Sequence, residues 1–194
     1  MNEHLLFLGR FLRSPRSIGA IAPSSPALAA AMVRAYEFRG DDCVVELGPG
    51  TGALTAAIVA HASAPGIRVL AIDREPIFVE RLRARWPQIE AICASAAALP
   101  QILDERRMAA VDFIISGLPF ASLPAAVTNQ IVEGIERTLR AGGTFTTFEY
   151  VHAYPLPPAV AFRRDISRRL GAPPVKTLVL KNLPPAYVLS WKRS

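Results

Sequence analysis

The 194 residues carry 22 Lys and Arg against 16 Asp and Glu, a formal charge of +6, and 51% of them are hydrophobic. That is enough chain and apolar material for one sizeable α/β domain with its own core, and too little for two. Cys43 and Cys93 lie in separate apolar runs far from any C-x-x-C spacing, and His4, His61 and His152 are scattered. This excludes a disulfide framework, predicts no metal site, and reads both thiols as buried and free in a reducing compartment.

The chain opens on an amphipathic pattern. On a helical wheel Leu5, Phe7, Leu8, Phe11 and Leu12 share one side, while Glu3, Arg10 and Arg13 fall opposite. A short helix with a basic polar face is the composition of an interfacial membrane helix, so residues 1–25 are read as a membrane-binding segment and loop ahead of a domain over 26–194. Arg10, Arg13 and Arg16 interrupt the first apolar run, so no stretch reaches the length of a bilayer span. The charges lie within and after that run with none before it, which argues against a cleaved signal. The expected address is the cytoplasm, with peripheral attachment to the inner face of the membrane.

From residue 42 onward strands and helices alternate. Strands are predicted near 42–47, 67–72, 89–93, 110–116 and 143–150, and helices near 53–62, 76–86, 99–106 and 124–140. The last of these helices is bounded by Pro124 and by Gly142-Gly143. A further helix opens at Pro157-Pro158 and runs to about Leu170, and strands near 175–181 and 186–192 close the chain as a hairpin around Asn182-Leu-Pro-Pro185. Alternation of this kind builds a parallel sheet covered on both faces.

The first strand breaks into Glu46-Leu-Gly48-Pro-Gly50-Thr51-Gly52, a turn whose glycines let backbone approach a ligand closely. Asp73 ends the second strand, where a doubly wound sheet places its ribose-binding carboxylate, with Arg74 beside it. The turn also satisfies the dinucleotide pattern when read literally. A carboxylate at Glu46 would repel a pyrophosphate and attract the cationic amino-acid end of S-adenosylmethionine, so methyl transfer is favoured over hydride transfer. The string resembles motif I of the class I S-adenosylmethionine-dependent methyltransferases. That resemblance implies a single-domain, Rossmann-like, seven-stranded sheet ending in an antiparallel hairpin, with an N-terminal amphipathic helix added here.

The residues just past each strand are the remaining site candidates. Ser95 and Ala96 follow the third strand, where Ser95 either hydrogen-bonds an adenine edge or caps the next helix. Ser116-Gly117-Leu118-Pro119-Phe120 follows the fourth and resembles motif IV of the amino methyltransferases, with Gly117 in place of the family's asparagine. Loss of that amide disfavours a base amine and suits an aliphatic one, whose lone pair is not delocalised. Phe120 is expected to offer a π-face to a cation, and Ser116 to face the amine and the cofactor. Beyond the fifth strand Tyr150 is expected to contact the acceptor, with Glu149 orienting the amine or pairing with an arginine. Ser24 and Ser25, before a helix opening at Pro26, close the pocket from the N-terminal side or cap that helix.

Phe11 to Leu28, Glu46 to Gly52, Ser116 to Phe120 and Asn182-Leu-Pro-Pro-Ala-Tyr187 together resemble the bacterial phospholipid N-methyltransferases. The resemblance implies methylation of phosphatidylethanolamine and its mono- and dimethyl forms toward phosphatidylcholine at an anionic membrane surface, with no stable nucleic-acid partner. The ribosomal RNA adenine dimethyltransferases share part of these motifs and carry an extra C-terminal domain, which leaves an RNA methyltransferase as the alternative within the class. A non-catalytic lipid-surface module is the alternative outside it.

Overall fold

The central strands are near-continuous apolar runs because both of their faces are covered. In the computed structural model, which describes residues 25–34, 36–62 and 65–194, seven strands form one sheet. They are β1 (Cys43–Leu47), β2 (Arg68–Asp73), β3 (Glu90–Cys93), β4 (Val111–Ser116), β5 (Leu139–Tyr150), β6 (Val175–Val179) and β7 (Ala186–Lys192). The order is β3-β2-β1-β4-β5-β7-β6; the first five run parallel, and β7 is antiparallel to both β5 and β6. Successive side chains point to opposite faces of the pleat, so Val45 and Leu47 enter one core layer while Val44 enters the other.

The helices divide between those layers. α1 (Pro26–Val33), α2 (Ala53–His61) and α3 (Pro76–Arg85) supply Leu28, Ile58 and Leu82 to the layer that holds Val44, Ala71 and Val188. α4 (Leu99–Glu105), α5 (Ala125–Thr138) and α6 (Pro157–Leu170) supply Leu99, Ile135 and Phe162 to the layer that holds Val45, Phe145 and Trp191. This is the expected α/β architecture with its terminal hairpin. The expected N-terminal helix over residues 1–25 lies, apart from Ser25, outside the described residues.

Two local expectations are corrected. Gly142-Gly143 does not end α5: the helix stops at Thr138, Leu139 turns extended, and β5 starts there. Gly142 instead takes φ +73 inside β5, where its N–H donates to Arg193 O and the Arg193 N–H donates to Gly143 O. The pairing of β5 with β4 shifts register in the same stretch, so the glycines serve a strand irregularity. Cys43 is buried as expected, whereas Cys93, last in the outermost strand β3, is exposed.

Ser25 joins α1 to the closing hairpin. Its hydroxyl accepts from Leu28 N at 3.1 Å, capping the helix, and donates to Lys181 O at 3.0 Å. Its own N–H donates to Asn182 Oδ1 at 3.1 Å. Ser25→Ala removes the cap and the hydroxyl's bond to Lys181 O while keeping the backbone bond to Asn182, and is expected to lower unfolding free energy by about 1 kcal/mol in urea titrations.

Candidate active site

The strand order reverses between β1 and β4, and the ligand site of an open α/β sheet lies at the carboxyl ends of the strands flanking that reversal. A cavity of about 240 Å³ opens there. Its walls come from the turns after β1, β2, β3 and β4, from Phe78 of α3, from Val127 and Ile131 of α5, and from Phe148 near the end of β5.

The turn after β1 is shaped by backbone contacts. Gly48 takes φ +72 and donates to Ile72 O at 2.9 Å, and a Cβ on it would lie 2.6 Å from Leu118. Gly52 takes φ +85, and its Cβ would meet the Trp86 ring at 2.7 Å. Both glycines are therefore required by the fold itself. Gly50 differs, because at φ +53 its Cβ would meet nothing within 4 Å while the residue lines the cavity. The space that a side chain there would enter is left open for a ligand.

Asp73 holds this turn to β2. Its Oδ2 accepts from Gly50 N at 2.9 Å and its Oδ1 from Glu75 N at 2.9 Å, and the residue lines the cavity. Each oxygen keeps a lone pair for a further donor such as a ribose hydroxyl. Thr51, Arg74, Ser95 and Ala96 line the cavity as expected. Ser95 also accepts from Ala97 N at 3.3 Å, capping the 3-10 turn Ala96–Ala98, which is the capping role expected of it.

Glu46 is placed otherwise. Instead of facing the ligand over the turn it is 0% exposed within β1, outside the cavity lining. Its Oε2 accepts from Thr55 Oγ1 of α2 at 2.7 Å, and its Oε1 is buried with no partner. Burial pushes its carboxyl up to about 8; the Thr55 hydrogen bond opposes this and Asp73 adds to it.

The expected acceptor residues also lie outside the cavity lining. Phe120 is buried, with its ring stacked on Phe162 at 4.1 Å, so its π-face is already occupied. Ser116 is buried, and its hydroxyl accepts from Leu118 N at 3.2 Å to fix the turn after β4. Glu149 pairs with Arg163 of α6, whose guanidinium lies 3.7 Å from the Tyr154 ring centroid. Burial pushes the Glu149 carboxyl up to about 7, outweighing the opposing Arg163. Tyr150 stacks on His152 at 5.6 Å, and burial raises its hydroxyl pKa. Ser25 is the helix cap described above, and Ser24 lies outside the described residues.

The apolar wall was not anticipated from sequence. Ile72, Phe78, Leu123, Val127, Ile131 and Phe148 line the cavity from four separate segments, and none of them was a site candidate in the sequence. Gly117 has a definite reason to be glycine: its N–H donates to Leu47 O at 2.9 Å, and a Cβ would lie 2.8 Å from Gly48 O. An asparagine at this position would push against backbone.

The family described as the methyltransferase domain matches residues 44–143. The chain is 34% identical over 148 residues to an ornithine lipid N-methyltransferase of Singulisphaera acidiphila, covering 75% of this chain and 77% of that one. It is 36% identical over 90 residues to the ribosomal RNA small subunit methyltransferase A of Bordetella avium, covering 46% of this chain and 32% of that one. Among solved structures, the fold matches the 1,6-didemethyltoxoflavin-N1-methyltransferase of Burkholderia thailandensis, solved with 1,6-didemethyltoxoflavin and S-adenosylhomocysteine. That match has a TM-score of 0.66 at 20% identity and covers 99% of this chain and 89% of the other.

Two outcomes test this site. Gly50→Ala places a methyl group in the open space at a cost to the fold of about 1 kcal/mol, since left-handed backbone is tolerated but disfavoured there. Calorimetry with S-adenosylhomocysteine is expected to show at least a tenfold loss of affinity. For Glu46, the folded chain holds a proton that the unfolded chain releases near 4.5, so this stabilisation is complete below that pH and is lost as pH rises through about 8. Glu149 acts in the same direction up to about 7. Glu46→Gln is expected to flatten the fall of stability between pH 7 and 8 in denaturant titrations.

Proposed function

The chain belongs to the class I S-adenosylmethionine-dependent methyltransferases, and we propose that it methylates the aliphatic amine of a membrane aminolipid, with phosphatidylethanolamine and its partly methylated forms as substrates. Its methyl donor is S-adenosylmethionine. The observation that carries the lipid reading is the extent of the match to a lipid N-methyltransferase, three quarters of either chain, against a third of the RNA methyltransferase. Gly117 supports it, because the cavity there has no amide to assist a delocalised base amine and a side chain would meet Gly48 O.

The residues fit the donor. Open space at Gly50 admits a ligand against the backbone, Asp73 has lone pairs for ribose hydroxyls, and Ser95 with Ala96 borders the slot for an adenine edge. Ile72, Phe78 and Leu123 supply the apolar wall that a base requires. When bound, S-adenosylmethionine presents an electrophilic methyl carbon on a positively charged sulfur.

The reaction forms an N–C bond as the S–C bond breaks, with the electron pair passing to sulfur and one amine proton passing to solvent. The attacking nitrogen must be neutral and in line, so the chain contributes mostly position. Among the described residues the ionisable groups lining the cavity are Asp73, Arg74 and Glu75, all on the β2 side, while the β4 and β5 side is lined by Pro119, Leu123 and Phe148. An apolar wall on that side favours the neutral form of an amine. For residues 1–25 the proposal is peripheral attachment to an anionic bilayer; among the described residues no helix is long and apolar enough to cross one.

Purified protein given radiolabelled S-adenosylmethionine with phosphatidylethanolamine vesicles, ornithine-lipid vesicles or ribosomal RNA tests the reading. Label is expected in the lipid extract of the phosphatidylethanolamine arm. Label only in the ornithine-lipid arm would keep a lipid amine and change the headgroup, and label only in RNA would overturn the proposal.

A further inference from the structure

The positive charge of this chain is concentrated at one end of its sequence. From Tyr150 to Ser194 there are eight Lys and Arg against a single acid, Asp165, and that acid is already paired with Arg168 and Arg169. The same stretch holds seven of the large apolar residues that face solvent among the described residues, including Leu180 at 71% and Leu183 at 83% exposure. Scattered exposed leucines need no explanation, but two on one turn with an exposed lysine between them do.

Topology decides where the cluster lies. β6 and β5 are both antiparallel to β7, so β6 runs with β5 and the β6–β7 turn stands at the carboxyl end of the sheet, the end where the cavity opens. The Val151 N–H donates to Pro185 O at 2.9 Å, joining this turn to the loop after β5, which exposes Val151 and Leu156. The turn is also held from within. Asn182 is buried, with Oδ1 accepting from Ser25 N and Nδ2 donating to Pro184 O at 2.6 Å. Leu180 and Leu183 therefore project from a fixed turn.

Lys181 sits between these leucines, exposed, and Lys176 lies one strand length behind them. The Lys176 ammonium lies 4.9 Å from the Tyr154 ring centroid and 4.8 Å from that of Tyr187. Neither lysine makes an ion pair among the described residues. Apolar tips flanking one unpaired lysine, with a second lysine and half-buried tyrosines a strand length behind, match the layering of an anionic bilayer surface, with acyl chains beneath acidic headgroups. A protein partner would have to supply an acidic rim around an apolar socket, whereas a bilayer presents both everywhere.

We propose that the β6–β7 turn, Leu180 to Leu183, dips into an anionic membrane and seats the open end of the cavity on the lipid surface. This proposal rests on the aminolipid reading of the site and needs no part of residues 1–24. An amine in a headgroup then reaches the cavity without its lipid leaving the bilayer.

The test uses the full chain with vesicles of phosphatidylethanolamine and phosphatidylglycerol. Leu180→Ser combined with Leu183→Ser is expected to lower vesicle partitioning at least tenfold, while methylation of a dispersed short-chain phosphatidylethanolamine stays within twofold of the unmodified protein. An environment-sensitive fluorophore on Leu183→Cys, in a Cys93→Ser background, is expected to shift to the blue on vesicles and to be quenched by brominated acyl chains. An unshifted, unquenched fluorophore would overturn the proposal, as would partitioning unchanged in the double variant. Loss of self-association in that variant with vesicle binding intact would also overturn it, assigning the patch to contact between copies. If the unmodified protein methylated no aminolipid at all, the functional reading would fail, while the fluorophore would still decide where the turn sits.

Discussion

The Asp73 carboxylate fixes the relation between β2 and the turn after β1, and the ligand cavity exists because of it. One oxygen holds the Gly50 N–H and the other holds the start of the next segment at Glu75 N. The Gly48 N–H reaches Ile72 O, and the Gly117 N–H reaches Leu47 O. Three neighbouring strands thus end in turns bonded to one another through backbone. A side chain at Gly48 or Gly117 would break into that arrangement at 2.6 Å or 2.8 Å, which leaves little freedom in sequence there. What remains between the turns is a space bounded by backbone, one carboxylate and apolar side chains, suited to a nucleoside that bears a charged sulfur.

Two other carboxyls are buried near this end of the sheet, and they do different work. Glu149 is neutralised across the β5–α6 contact by Arg163, whose guanidinium also covers Tyr154. A buried pair of this kind contributes little net stability against an apolar substitute, but losing one partner is costly, so it orders the loop after β5. Glu46 has only the Thr55 hydroxyl and a free oxygen, and burial leaves it largely protonated at neutral pH.

The elements that could be read from sequence are those whose causes are local. A β-branched run, a glycine turn and a helix start within ten residues define Gly48, Gly50 and Thr51 as lining, and a strand's last residue defines Asp73. The residues that could not be read depend on what packs against them. Phe120 and Phe148 are alike in sequence terms, but α6 places Phe162 on one ring and leaves the other at the cavity. Tyr150 ends β5 as expected, and its ring stacks on His152, a residue of the following loop. Gly142 and Gly143 carry a helix-ending signal, but the partner that claims their backbone groups is Arg193, fifty residues away, so the signal serves a strand.

Charge and shape converge at the same end of the sheet. The strand ends form the cavity, and the β6–β7 turn, with Leu180, Lys181 and Leu183 exposed, stands at that same end of the sheet. This joins the cofactor turn to the closing hairpin, although they lie far apart in the chain. A crystal structure with S-adenosylhomocysteine tests the account most directly. It predicts both ribose hydroxyls on the Asp73 carboxylate, the adenine between Phe78 and the Ser95 turn, and the sulfur directed toward Pro119 and Phe148. A ligand bound away from Asp73, with its sulfur directed away from the β4 turn, would contradict it.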